Sequence, residues 1–123
     1  MYCKILSLIL GVMGKTKNKQ GVTIMKLMTK AIQKKLPKLN SQENKCEKDL
    51  VVQVKYFCPW NQWTWYGIEY DGKDIFFGYV IGFENELGYF SLEELKSVKQ
   101  FGLGIERDLY FAPKRLSEIK EGI

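Results

Sequence analysis

The side chains able to do chemistry in this chain are few and of limited kinds. Among its 123 residues there is no histidine, which removes Ser/His/Asp triads, Cys/His dyads, the common zinc sites and the usual neutral-pH proton shuttle together. The three cysteines, Cys3, Cys46 and Cys58, show neither paired metal-ligand spacing nor an even disulfide framework, so the expected compartment is reducing and cytoplasmic. Cys58 adjoins an apolar run and has no base to activate it, and it reads as a small buried hydrophobe. Carboxylates gather at turns, Asp71 with Asp74 and Glu84 with Glu86. A magnesium-dependent nuclease would need three or four such acids to converge from separate turns, whereas turn chemistry and solubility explain the same residues with less. Gly78, Gly82 and Gly88 open no helix and form no phosphate loop. No catalytic residue, metal ligand, cofactor or small-molecule substrate is expected.

Binding is the better-supported chemistry. Of 17 aromatic residues, 16 fall between Tyr56 and Phe111, more than a core of about 100 residues can bury completely. Trp63 and Trp65 alternate with Thr64, Tyr66 and Ile68, so both faces of a strand here carry large rings. The expected partner surface is Trp63 and Trp65, rimmed by Trp60, Tyr66 and the acidic turns Asp71, Asp74, Glu84 and Glu86. Rings of this kind anchor protein interfaces and stack unpaired bases alike. Lys26, Lys30, Lys34 and Lys38 offer an alternative, phosphate-facing surface. No helix-turn-helix, ribonucleoprotein motif or zinc finger accompanies them.

These residues must be positioned by local elements that the pattern supplies. Thr29 is an N-cap signal, Met28, Ile32 and Leu36 recur at helical spacing, and Pro37 ends the helix. Residues 38 to 49 are polar and aperiodic and read as a loop free to move. From Leu50 the period changes to two, placing Val52, Val54 and Tyr56 on one side of a strand. Further strands are expected at 62–70 and 74–83, joined by the Asp71-Gly72 turn, and at 87–90 after a turn through Asn85 and Gly88. Ser91-Leu92-Glu93-Glu94 is a capping box opening a helix to about Lys99. Glu106 to Phe111 reads as a fifth strand with Glu106, Arg107 and Asp108 as an ion-pair cluster, and 114–121 as a terminal helical turn. The fold class is therefore α+β, an antiparallel meander of four to five strands with an N-terminal amphipathic helix and one or two short C-terminal helices.

Residues 1–24 are set apart from this plan. Their apolar run, residues 5 to 13, is far shorter than the roughly 20 residues a membrane span needs, and its lysines follow it where a secretory signal would place them before. Neither membrane insertion nor export is expected. The run Lys19 to Met25 can be encoded by a purine-rich ribosome-binding sequence ahead of a start codon, so Met25 is the expected natural start, residues 1–24 a leader or disordered extension, and 25–123 one domain. Charge follows the same division. Residues 1–24 carry four lysines and no acid, 25–49 seven lysines and three acids, and 50–123 eight basic and eleven acidic groups, within a net formal charge of +5.

The segments MKLMTKAIQKKLP, WTWY, DIFFGYVIGFENELGYFSLEEL and ERDLYFAPKRLSE occur in this order. Over residues 25 to about 119 the chain thereby resembles a small domain-of-unknown-function family found in phages, plasmids and integrative conjugative elements. The resemblance implies a mobile-element setting near genes of DNA transfer or anti-restriction, and it supplies no activity and no assigned residue. The function expected is thus a non-enzymatic accessory protein, an anti-CRISPR or anti-restriction inhibitor that binds a host protein or ribonucleoprotein handling nucleic acid. Direct binding of single-stranded DNA or RNA is the alternative, and a metal-dependent nuclease the third.

Overall fold

The computed structural model describes residues 26–122; the expected leader at 1–24 lies outside them. Helix α1 (Lys30–Lys35) starts where the Thr29 hydroxyl accepts the Ile32 amide at 3.2 Å and stops before Pro37. A 3-10 turn (Glu47–Asp49) leads into β1 (Val51–Val52) and β2 (Val54–Phe57). Three seven-residue strands follow, β3 (Thr64–Tyr70), β4 (Ile75–Ile81) and β5 (Asn85–Ser91), and then α2 (Leu92–Ser97). The chain ends in β6 (Lys99–Gln100), β7 (Leu103–Gly104), β8 (Glu106–Arg107), β9 (Lys114–Arg115) and α3 (Leu116–Lys120). The main sheet is antiparallel in the order β5-β4-β3-β2-β8, so the expected meander is present with an added edge strand; β1 pairs β9, and β6 pairs β7. The fold is α+β.

The sheet buries apolar side chains on both faces. One face carries Val54, Tyr56, Trp65, Phe76, Val80 and Phe90 and is roofed by Leu27 and Leu36 beside α1, by Leu92, Leu95 and Val98 around α2, and by Ile105. The other carries Ile68 and Tyr79, covered by Leu50, Val52 and Leu116 with Phe111 and Ile119. On the first face Gly67, Gly78 and Gly88 lie opposite one another across three strands. The row makes room for the Phe76 ring stacked on Phe90 at 4.9 Å. A Cβ on Gly78 would fall 1.9 Å from the Tyr66 carbonyl oxygen, so no side chain fits there.

Several boundaries differ from the pattern reading for identifiable reasons. Val52 does not share a side with Val54 and Tyr56. The Gln53 amide turns to the Gly67 carbonyl at 2.9 Å between two strands with different partners, and Val52 joins the second core. The β4–β5 turn is Gly82–Glu84, with β5 already paired from Asn85 and Gly88 in mid-strand. The fifth strand is only Glu106–Arg107, because the Asp108 side chain accepts the Tyr110 amide at 2.9 Å and bends the chain away. Asp108 forms its ion pair across the sheet, with Lys55 at 3.6 Å. The loop at 38–49 is tied down by Glu69 at the β3 bulge. This buried carboxylate accepts the Asn40 amide at 2.7 Å and the Gln42 amide and side chain at 3.2 Å each.

Candidate binding surface

The β2–β3 connection and the β4–β5 turn lie at the same end of the sheet, since β2, β3, β4 and β5 alternate in direction. The first connection is short and heavily bonded: the Cys58 amide donates to the Trp63 carbonyl at 3.0 Å, and the Trp63 amide to the Asn61 side chain at 2.9 Å. Trp63 therefore leaves the loop in a defined direction. Its indole stacks on Trp65 at 6.3 Å and 25° and meets Phe83 edge-on at 5.0 Å and 81°. Gly82 forms the seat of this ring, for a Cβ there would lie 1.6 Å from the indole.

The result is an aromatic ledge. Phe83 is 74% exposed although it touches Trp63, and Trp63 and Trp60 are each half-buried against the first core. Exposed Glu84, Asn85 and Glu86 continue directly from Phe83. An exposed phenylalanine held over a fixed indole, with carboxylates beside it, suits an apolar contact surrounded by cations. Beneath it Cys58 is 2% exposed and burial pushes its thiol pKa up, against the hydrogen bonds from Trp60 and Asn61 that lower it. A raised thiol pKa keeps the sulfur protonated and poorly nucleophilic.

The expected site residues do not form one surface. Trp65 is 1% exposed and belongs to the core, so it supports Trp63 and cannot touch a partner. Tyr66 sits on the opposite face, where its ring lies 6.3 Å from Tyr79 and 6.1 Å from Phe111 with the Lys55 ammonium 5.9 Å away. Asp71 and Asp74 occupy the turn at the far end of β4, about 20 Å from Glu84 and Glu86 by strand rise. Both are engaged in folding. Asp71 Oδ1 accepts the amides of Lys73, Asp74 and Ile75 at 2.7, 2.7 and 3.0 Å. Desolvation raises the Asp71 pKa, and these three amides with the Lys73 charge outweigh it and hold the carboxyl below its usual range. Asp74 caps α2, accepting the Ser91 hydroxyl at 2.7 Å and the Glu93 amide at 2.8 Å.

The four acids thus cannot converge on one cation, and among the described residues no group of three Cys, Asp or Glu side chains is placed to hold a metal. Lys26, Lys30, Lys34 and Lys38 are all exposed, without a carboxylate at ion-pair distance among the described residues. Sequence reasoning misses Phe83, which alternation puts at the end of a strand, and Phe101 and Tyr110, which are 80% and 95% exposed. The available signal was an aromatic residue in a glycine turn, Gly82-Phe83 and Phe101-Gly102, where a polar residue is ordinarily found. Glu69 was missed because its burial depends on a loop 27 to 29 residues earlier.

A family model described as a protein of unknown function, DUF2958, matches residues 27–121. The chain belongs to this family. The DUF2958 match spans all of the elements above, including the ledge, the Glu69 clamp and the lysines from Lys30 to Lys38. Neither the curated proteins nor the solved structures contain a significant match. Among the described residues no helix is long and apolar enough to cross a membrane.

Proposed function

We propose that this DUF2958 protein is a non-catalytic binding module that occludes a host machine handling nucleic acid. Its contact surface is the ledge of Trp60, Trp63 and Phe83 with Glu84 and Glu86. The observation that carries this reading is Phe83, 74% exposed yet braced by Trp63, whose indole occupies the space a side chain at Gly82 would fill. Leaving a large ring in water forgoes about 1.5–3 kcal/mol of burial, and a preformed ledge recovers that on docking with little ordering cost. The adjacent carboxylates suit the cationic surface with which such a machine holds phosphates. An anti-defence role in the host cytoplasm would suit the mobile-element setting that the resemblance implies. The test is affinity capture from a host lysate after nuclease treatment, comparing the native chain with Phe83→Ser and Glu84→Lys/Glu86→Lys. A protein captured by the native chain and lost with both variants supports the reading; equal capture by all three overturns it.

A second reading rests on the exposed lysines flanking and within α1. If Lys26, Lys30, Lys34 and Lys38 meet phosphate, a labelled single-stranded oligonucleotide binds with an affinity that falls by one or more decades between about 50 and 200 mM salt. Binding that ignores salt, or that survives Lys30→Glu/Lys34→Glu, removes it.

A further inference from the structure

We infer that the outer edge of β5 pairs with the same edge of a second copy of this chain, in antiparallel register about a dyad through Gly88. β5 is the terminal strand of the main sheet and, among the described residues, has a ladder only with β4. Which of its backbone groups face outward follows from two flanking hydrogen bonds. The Leu92 amide donates to Asp74 O at 2.9 Å just beyond the Ile75/Ser91 pair, and the Gly82 amide to Glu84 O at 3.2 Å just beyond the Ile81/Asn85 pair. Both place the odd-numbered β5 residues in non-hydrogen-bonded pairs with β4, so Asn85, Leu87 and Tyr89 point N–H and C=O away from the sheet.

That edge is complementary to itself. With Gly88 on the dyad, Leu87 lies opposite Tyr89 of the second copy and exchanges two backbone hydrogen bonds with it, and Asn85 lies opposite Ser91 of the second copy. Gly88 then faces its own counterpart as a non-hydrogen-bonded pair, the close approach of about 4.5 Å that glycine accommodates. Leu87 and Tyr89 project on one face as an aliphatic–aromatic pair. Glu86, the strand's one charged residue, faces Phe90 of the second copy, so no like charges oppose each other. An edge this long has no proline, lysine or internal bulge to keep strands apart, and Glu86 is its one charge. Pairing joins two five-strand sheets into one of ten. A seam of seven residues a side falls short of the roughly 20–30 residues a side of a standard interface, so the expected dimer is a weak one.

Sedimentation equilibrium of the full chain tests this. The apparent mass should rise from 14.4 kDa toward twice that value across concentrations of about 10 µM to 1 mM, the range expected of so small a contact. Hydrogen exchange provides a readout independent of any variant. The Leu87 and Tyr89 amides should slow with rising concentration, while the Gly88 and Phe90 amides, bonded to β4, stay protected throughout. Leu87→Pro removes an outward N–H without breaking the β4 ladder and should leave a folded monomer. A mass fixed at the monomer value, or odd-residue amides that exchange equally fast at every concentration, overturns the inference. Protection of those amides that appears only when an unrelated extended peptide is added also overturns it, and assigns the edge to a foreign strand.

Discussion

Phe101 should be worse for folding than asparagine, and the difference can be measured. The residue holds φ +54° and Gly102 φ +78° in a two-residue turn closed by the Gln100/Leu103 pair. This is the geometry of a type I′ hairpin, for which Asn-Gly is the favoured dipeptide. A non-glycine residue in the left-handed region costs about 1–2 kcal/mol, and asparagine recovers part of it through local hydrogen bonding. The side chain contributes little in return, because Phe101 is 80% exposed. Phe101→Asn should therefore stabilise the domain by about 0.5–1 kcal/mol after allowing for the small apolar area lost. For a domain of about 100 residues that is a rise in Tm of roughly 3–6 °C. Urea unfolding followed by tryptophan fluorescence should show a higher midpoint with an unchanged m value. A midpoint that stays the same or falls would refute the argument, since it would mean the phenylalanine makes up its backbone cost within the monomer. A stabilising Phe101→Asn that leaves binding intact would also show that the ledge at Phe83 is a separate surface.

Other perturbations follow from the same geometry. Gly82→Ala should displace the Trp63 ring, costing about 1–3 kcal/mol of stability and abolishing the near-ultraviolet circular dichroism signal of the Trp63–Trp65 stack; a native spectrum would mean the ring is not seated there. Glu69→Ala should lose about 2–4 kcal/mol as three donors lose their acceptor, with fast hydrogen exchange at Asn40 and Gln42 as the local signature. The depressed carboxyl of Asp71 contributes stability that is complete above its unfolded pKa of about 4 and lost as pH falls through the lower folded value. Asp71→Asn keeps an acceptor in the turn and should flatten this part of the acid unfolding curve, so an unaltered curve would count against the turn as its source. Ser91→Ala should cost about 1 kcal/mol through loss of the α2 cap, measured by the same urea titration.

What could be read from the chain without coordinates was whatever depends on neighbours in sequence. Thr29 and Ser91 start helices through hydroxyls that reach an amide three residues on, Pro37 stops one, and Asp71-Gly72 forms its turn from its own backbone and side chain. Alternation and turn signals together place the meander, three of whose strands run seven residues each, although they put β5 only over 87–90. Two-residue strands such as β1, β8 and β9 have no period to read, and they exist only because a partner distant in the chain supplies the ladder.

The candidate surface was legible in kind and not in membership. The composition requires rings at the surface, yet Trp63, Trp65 and Phe83 look alike in sequence and end as ledge, core and exposed tip. Trp63 and Trp65 share one face, and their fates are decided by how near each ring lies to the end of the sheet. Trp65 is buried in a cluster that includes Leu27 and Leu36, some thirty to forty residues earlier in the chain, while the turn at Phe83 projects past the end of the sheet. In the same way, strand length puts Asp71 and Glu84 at opposite ends of β4, though thirteen residues separate them. Local hydrogen bonding is written in adjacent residues; burial and proximity are properties of the packed chain, where a single bulge or crossing determines which side chain meets water.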